Sequence, residues 1–92
     1  MRVVLVDGSP LHRAGLRATL TAGDPTGSGA GFTVVGEGFD GAAAVDLARR
    51  LVPDVVVLDA ALARVSGIEA ARAIRGAGLP VRVLVLADDD GD

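Results

Sequence analysis

Two acids stand where a sheet could present them together. Asp7 closes the apolar run VVLV within LVDGSP, and Asp59 closes the run VVVL. Ligands of open parallel sheets bind beyond the carboxyl ends of the strands, at the point where strand order reverses. If the strands bearing Asp7 and Asp59 are neighbours, about 4.8 Å apart, both carboxylates emerge on one rim beside a helix N-terminus. Two hard oxygen donors converging there would attract a divalent cation. Asp is also an ordinary cap and turn residue, so a metal site and a pair of structural turns both remain open at this point. Other candidates are weaker. His12 is the single histidine of a chain without cysteine, so a solvent-edge or packing role is expected of it rather than a ligand or phosphodonor role. The acidic run Asp88, Asp89, Asp90 and Asp92 reads as a solvated loop, with calcium binding the lesser alternative.

The elements that must position the two acids are legible in the hydrophobic pattern. Apolar runs at 3 to 6, 32 to 35, 55 to 58 and 81 to 86, rich in β-branched residues and flanked by Gly, Pro or Asp, suit buried parallel strands. Between them lie three helical stretches. The first spans about Pro10 to Thr21, with Ser9 as N-cap and Pro at its first position. The second runs from about Gly41 to Leu51, capped by Asp40 and ended by Pro53, with Val45, Ala48 and Leu51 on one face. The third starts at Ser66, where S-G-I-E forms a capping box with Glu69; Ile68, Ala71 and Ile74 line one side, and Gly76 and Gly78 stop it. The order β-α-β-α-β-α-β implies right-handed crossovers and helices on both faces of a parallel sheet. The glycine-rich stretch at 21 to 31 follows a helix and precedes a strand. That is the reverse of a dinucleotide fingerprint, so it reads as a connection.

Composition narrows the functional classes. With 92 residues the chain has room for one domain with a thin core. Half the residues are hydrophobic and only two are aromatic, Phe32 and Phe39, which favours an aliphatic interior over an aromatic binding platform. All nine cations are arginine, so no chemistry here can use a lysine of this chain. A net charge of −3 and scattered arginines argue against direct nucleic-acid binding. The lack of cysteine removes disulfides and thiolate zinc sites. The opening apolar run of four residues is too short for a signal peptide or a membrane span. A soluble, cytoplasmic protein is the expectation.

Several motifs at consistent spacing resemble one family. The strand-end acid followed by P-L-x-R-x-G-L, the string V-V-G-E-x-x-D-G, and P-D-V-V-V-L-D with Gly67 eight residues beyond its last Asp are similar to the receiver domains of bacterial response regulators, specifically the LuxR/NarL type. The resemblance covers essentially the whole chain. It implies a CheY-like, flavodoxin-like parallel sheet in an incomplete version, because the fifth strand and the last helices are missing from the match. It also implies phosphoryl transfer from a histidine kinase to an aspartate beside magnesium. Carried over by position, Asp59 matches the phosphoacceptor, Asp7 one acid of the metal pair, and Ala61 the residue whose backbone carbonyl is a further ligand. The chemistry is reasonable: a carboxylate attacks phosphorus, and the metal offsets charge gathering on the oxygens.

The sequence departs from the family pattern at four places. Gly8 holds the second place of the acidic pair and offers no carboxylate, so magnesium affinity should fall. Leu62-Ala63 replaces the usual Met-Pro, and Ala87 replaces the hydroxyl residue that hydrogen-bonds the phosphoryl group. The phosphate-pairing lysine is absent, together with the strand it follows and the DNA-binding region. A fourth strand left as an apolar edge invites pairing with another chain, hence a homodimer through that edge. The leading expectation is therefore a receiver domain, not an enzyme, with impaired phosphorylation at Asp59. A pseudo-receiver acting as a phosphorylation-independent dimerisation, partner- or ligand-binding module is the alternative. LVDGSP also resembles the opening motif of haloacid-dehalogenase-type phosphatases, but Leu5 stands where that motif needs its nucleophile.

Overall fold

The computed structural model describes residues 1–21 and 31–87. Strands β1 (Arg2–Val6), β2 (Thr33–Gly38), β3 (Val55–Asp59) and β4 (Arg82–Leu86) alternate with helices α1 (Pro10–Thr21), α2 (Gly41–Leu51) and α3 (Gly67–Gly76). All strand pairs are parallel, in the order β2-β1-β3-β4. The order reverses between β1 and β3, which makes their carboxyl ends the switch point of the sheet.

Side chains alternate between the two faces of each strand, and both faces of β1 and β3 are apolar. Val4, Val6, Val56 and Leu58 pack with Ala44 and Ala48 of α2 and with Ala70 and Ile74 of α3. On the opposite face Val3, Leu5 and Val57 pack with Leu16 and Leu20 of α1. One helix therefore lies on one face and two on the other. The sheet rises from the central pair β1–β3, where Val3 to Val6 are all buried.

Helix boundaries follow the capping chemistry. Ser9 Oγ accepts from the His12 N–H at 3.2 Å, Asp40 Oδ1 from the Ala43 N–H at 2.8 Å, and Ser66 with Glu69 forms both halves of a capping box. Helix α2 stops two residues before Pro53: Val52 takes the left-handed C-cap conformation, φ 41°, and its N–H donates to the Ala48 carbonyl. For a β-branched residue that conformation is strained.

Three expectations shift. Strand β2 continues through Gly36, Glu37 and Gly38, which pair with Val4, Leu5 and Val6. The glycines are there because α2 lies close: a Cβ at position 38 would stand 2.9 Å from the Ala43 Cβ. The buried stripe of α2 centres on Ala44 and Ala48, with Val45 and Leu51 at its margin. Ile68 does not line the inner face of α3 but is 53% exposed. At 100° per residue it lies about 120° around the helix from Ile74, whereas Gly67, Ala70 and Ile74 fall close to one line.

At the end of the sheet β4 pairs with β3 alone among the described residues. Its Leu84 is 52% exposed, beside an apolar trough lined by Met1, Val3, Phe32, Val55 and Pro80. No helix among the described residues is long and apolar enough to cross a membrane.

Candidate functional site

Val6 of β1 pairs with Leu58 of β3, and the next residue on each strand is an aspartate. Asp7 and Asp59 thus leave adjacent strands at the same level, and both line one cleft of about 530 Å³ together with Ser9, His12, Leu86 and Ala87. The ladder extends to both acids. The Asp7 N–H donates to the Gly38 carbonyl at 3.0 Å, and the Ala60 N–H just beyond Asp59 donates to the Leu86 carbonyl at 2.8 Å. Backbone bonding on either side fixes the floor of the cleft.

Asp7 is buried, 2% exposed, and its polar atoms are occupied. Oδ1 accepts from the Ser9 N–H at 2.8 Å, and Oδ2 contacts His12 Nδ1. Its carbonyl accepts from Arg13 Nη1 at 2.7 Å. Arg13 Nε also donates to Glu37 Oε1 at 3.1 Å, while Arg17 Nη1 bonds Glu37 Oε2 at 2.5 Å. Glu37 faces Leu5 in the β1–β2 register, so the two arginines of α1 hold that helix to the sheet just below Asp7.

Asp59 is half-buried. Its Oδ1 accepts from the Ala61 N–H at 3.0 Å, and among the described residues its Oδ2 has no hydrogen-bond partner. The turn that carries it is pinned from behind by Gly67, whose N–H donates to the Ala60 carbonyl at 3.2 Å. A Cβ at 67 would stand 2.3 Å from the Asp59 carbonyl oxygen, so only glycine allows α3 to start there. Leu62 turns inward and packs with the core between sheet, α2 and α3, which anchors a loop that lacks proline. Ala61 and Ala87 are exposed, and Ala87 brings only a methyl group to the cleft.

Asp7, Asp59 and Ala87 thus line one cavity, and the sequence underrates two residues. His12 is the third residue of α1, where helical side chains lean back toward the N-terminus, and this brings its ring over the end of β1. Glu37 lies within a string matched for its spacing alone. The acidic residues 88 to 92 and the glycine-rich segment 22 to 30 lie outside the described residues.

A magnesium ion requires several open oxygen ligands. The residues present do not fit it as arranged: both Asp7 oxygens are bonded within the protein, Gly8 has no side chain, and no group of three His, Asp or Glu among the described residues is placed to hold an ion. The phosphatase alternative has a simpler obstacle. Leu5, at the nucleophile position of that motif, is an alkyl side chain wholly buried under α1.

A model of the response regulator receiver domain matches residues 3–92. The chain belongs to that family. The receiver is 39% identical over 89 residues to the nitrate/nitrite response regulator protein NarP of Escherichia coli K12, an alignment covering 97% of this chain and 39% of NarP. It therefore spans well under half the length of the curated relatives it matches. Among solved structures, the signal receiver domain of NarL from Mycobacterium tuberculosis superposes with a TM-score of 0.85 at 40% identity, covering 98% of this chain and 68% of that one. A LuxR-family two-component response regulator from Aurantimonas sp. SI85-9A1 gives a TM-score of 0.81 at 36% identity, covering 98% and 60%. The CheY-like fold expected from the sequence is thereby found, with four strands and three helices among the described residues.

Proposed function

We propose that this receiver accepts a phosphoryl group on Asp59, from a histidine kinase in the cytoplasm, as the input module of a NarL/LuxR-type transcription regulator. The observation that carries the reading is the contrast in oxygen availability. Asp59 lines the cleft with Oδ2 unbonded among the described residues, whereas Asp7 opposite it is closed in. In the transfer, Oδ2 forms the new bond to phosphorus. The bond from phosphorus to the donor breaks, and the donor leaves with that electron pair. The Ala61 N–H steadies Oδ1 and orients the attacking oxygen. The family's magnesium ligands would be Asp7, Asp59 and the Ala61 carbonyl, and this part of the reading rests on the resemblance alone. Phosphorylation is weak, because Gly8 supplies no metal-binding oxygen and Ala87 supplies no hydroxyl. With its acidic balance, this segment makes no direct contact with nucleic acid.

Incubation with a small acyl phosphate and Mg²⁺, followed by intact-mass spectrometry, tests the proposal. A minor phosphorylated fraction is expected, absent from Asp59→Asn. A fraction that persists in Asp59→Asn, or none at saturating donor, rejects Asp59 as acceptor.

A second reading has its own support. The same closed Asp7, together with the exposed Leu84 on the β4 edge, suits a pseudo-receiver that self-associates without phosphoryl transfer. Light scattering separates the two: self-association indifferent to Mg²⁺ and acyl phosphate favours the pseudo-receiver, and association that responds to them favours the phosphoacceptor.

A further inference from the structure

We infer that His12 occupies the position at Asp7 that a divalent cation would have to take, so that a cation binds this receiver only by displacing the imidazole. This rests on reading the Asp7–Asp59 cleft as a receiver site, and it assigns to His12 a role that the family motifs do not contain.

A buried carboxylate stripped of a partner on one oxygen is costly, and the partners of Asp7 can be enumerated. Oδ1 is held by the Ser9 backbone, which belongs to the turn into α1 and cannot leave without unwinding it. Arg13 bonds the Asp7 carbonyl and Glu37 rather than the Asp7 carboxylate. Among the described residues Oδ2 is left to His12 alone. The ring supplies Nδ1–H to an oxygen that only accepts, whichever charge it carries. The two partners differ in freedom: the His12 side chain is 57% exposed and that of Asp7 3%. The imidazole can therefore rotate into solvent while the carboxylate stays. Among the described residues nothing else competes for the space. Position 8 has no side chain, and a Cβ there would meet only the Phe39 carbonyl oxygen at 3.7 Å. His12 is thus a specificity-determining residue: it satisfies Asp7 in the cation-free protein and weakens every ion that needs the same oxygen.

Titration of the purified chain with Mn²⁺, followed by the electron paramagnetic resonance signal of the free ion and without any phosphodonor, tests the inference. Removing a hydrogen bond to a charged group should make His12→Ala bind Mn²⁺ at least about tenfold more tightly than the natural chain. Adding Asp7→Asn to His12→Ala should abolish the gain. Equal or weaker binding by His12→Ala overturns the inference, and so does a gain that survives Asp7→Asn. If His12→Ala is unfolded without metal, recovery of its helical circular dichroism on adding Mn²⁺ supports the inference, and no recovery at saturating Mn²⁺ overturns it. Since no phosphoryl group is present, failure of Asp59 to accept phosphate leaves this measurement unchanged.

Discussion

Asp7 and Asp59 follow paired residues of adjacent strands, yet the molecule treats them in opposite ways. Asp7 is enclosed by the turn into α1, with a bond to each carboxylate oxygen and another to its carbonyl. Asp59 sits on a turn that rises away from the sheet, with one oxygen bonded to Ala61 and the other open to the cleft. The strand ends are equivalent and the connections are not. After β1 the chain enters α1 within three residues, so the cap and the first helical turn close over the acid. After β3 it takes a longer loop before Ser66 caps α3, which leaves room above Asp59. Loop length closes one acid in and leaves an oxygen of the other facing the cleft.

Substitutions at the two acids should separate these roles most widely. Asp7→Ala leaves the Ser9 N–H and the His12 ring without their acceptor and should lower unfolding stability in urea by about 3 kcal/mol. Asp59→Ala should change it by less than about 0.5 kcal/mol; comparable losses at both sites would remove the distinction. Next in size, Gly67→Ala forces a Cβ into the Asp59 carbonyl and should cost about 2 kcal/mol by overpacking, while leaving the bonds of Asp7 intact. Histidine NMR shifts of His12 that stay at their natural values would verify that separation. Gly8→Asp places a second carboxylate beside Asp7, where a Cβ meets only ordinary contact with the Phe39 carbonyl oxygen, and should tighten Mg²⁺ by about tenfold in calorimetry; an unchanged affinity would mean that ligand number is not what limits the site. Smallest is Val52→Gly, which relieves the left-handed C-cap of α2 far from both acids. It should gain about 0.5 kcal/mol, seen as a rise of a few degrees in Tm, without altering either acid.

Local rules made most of this architecture readable. Ser9, Asp40 and Ser66 are caps because their oxygens satisfy free helical N–H groups, and β-branched runs buried on both faces announce a parallel sheet. Gly36 and Gly38 misled for a physical reason: glycine punctuates turns in isolation, and only the approach of α2 makes it the residue a strand requires. Ile68 misled because an apolar residue near a helix start fits several faces until the sheet selects one. At the site, Asp7 and Asp59 were legible from strand ends alone. The bond between His12 and Asp7 was not, because it depends on how tightly three residues turn a strand into a helix, and spacing does not encode that.

The missing Cβ of Gly67 has a mechanical consequence. Where the Asp59 carbonyl meets the first residue of α3 there is no slack to absorb movement, since packed interiors compress little. A group attached to Asp59 that drew its main chain by a fraction of an ångström would carry the end of α3 along with it. The seam acts as a rigid coupling rod between the acid that faces the cleft and a helix whose outer face, at Ile68, lies exposed.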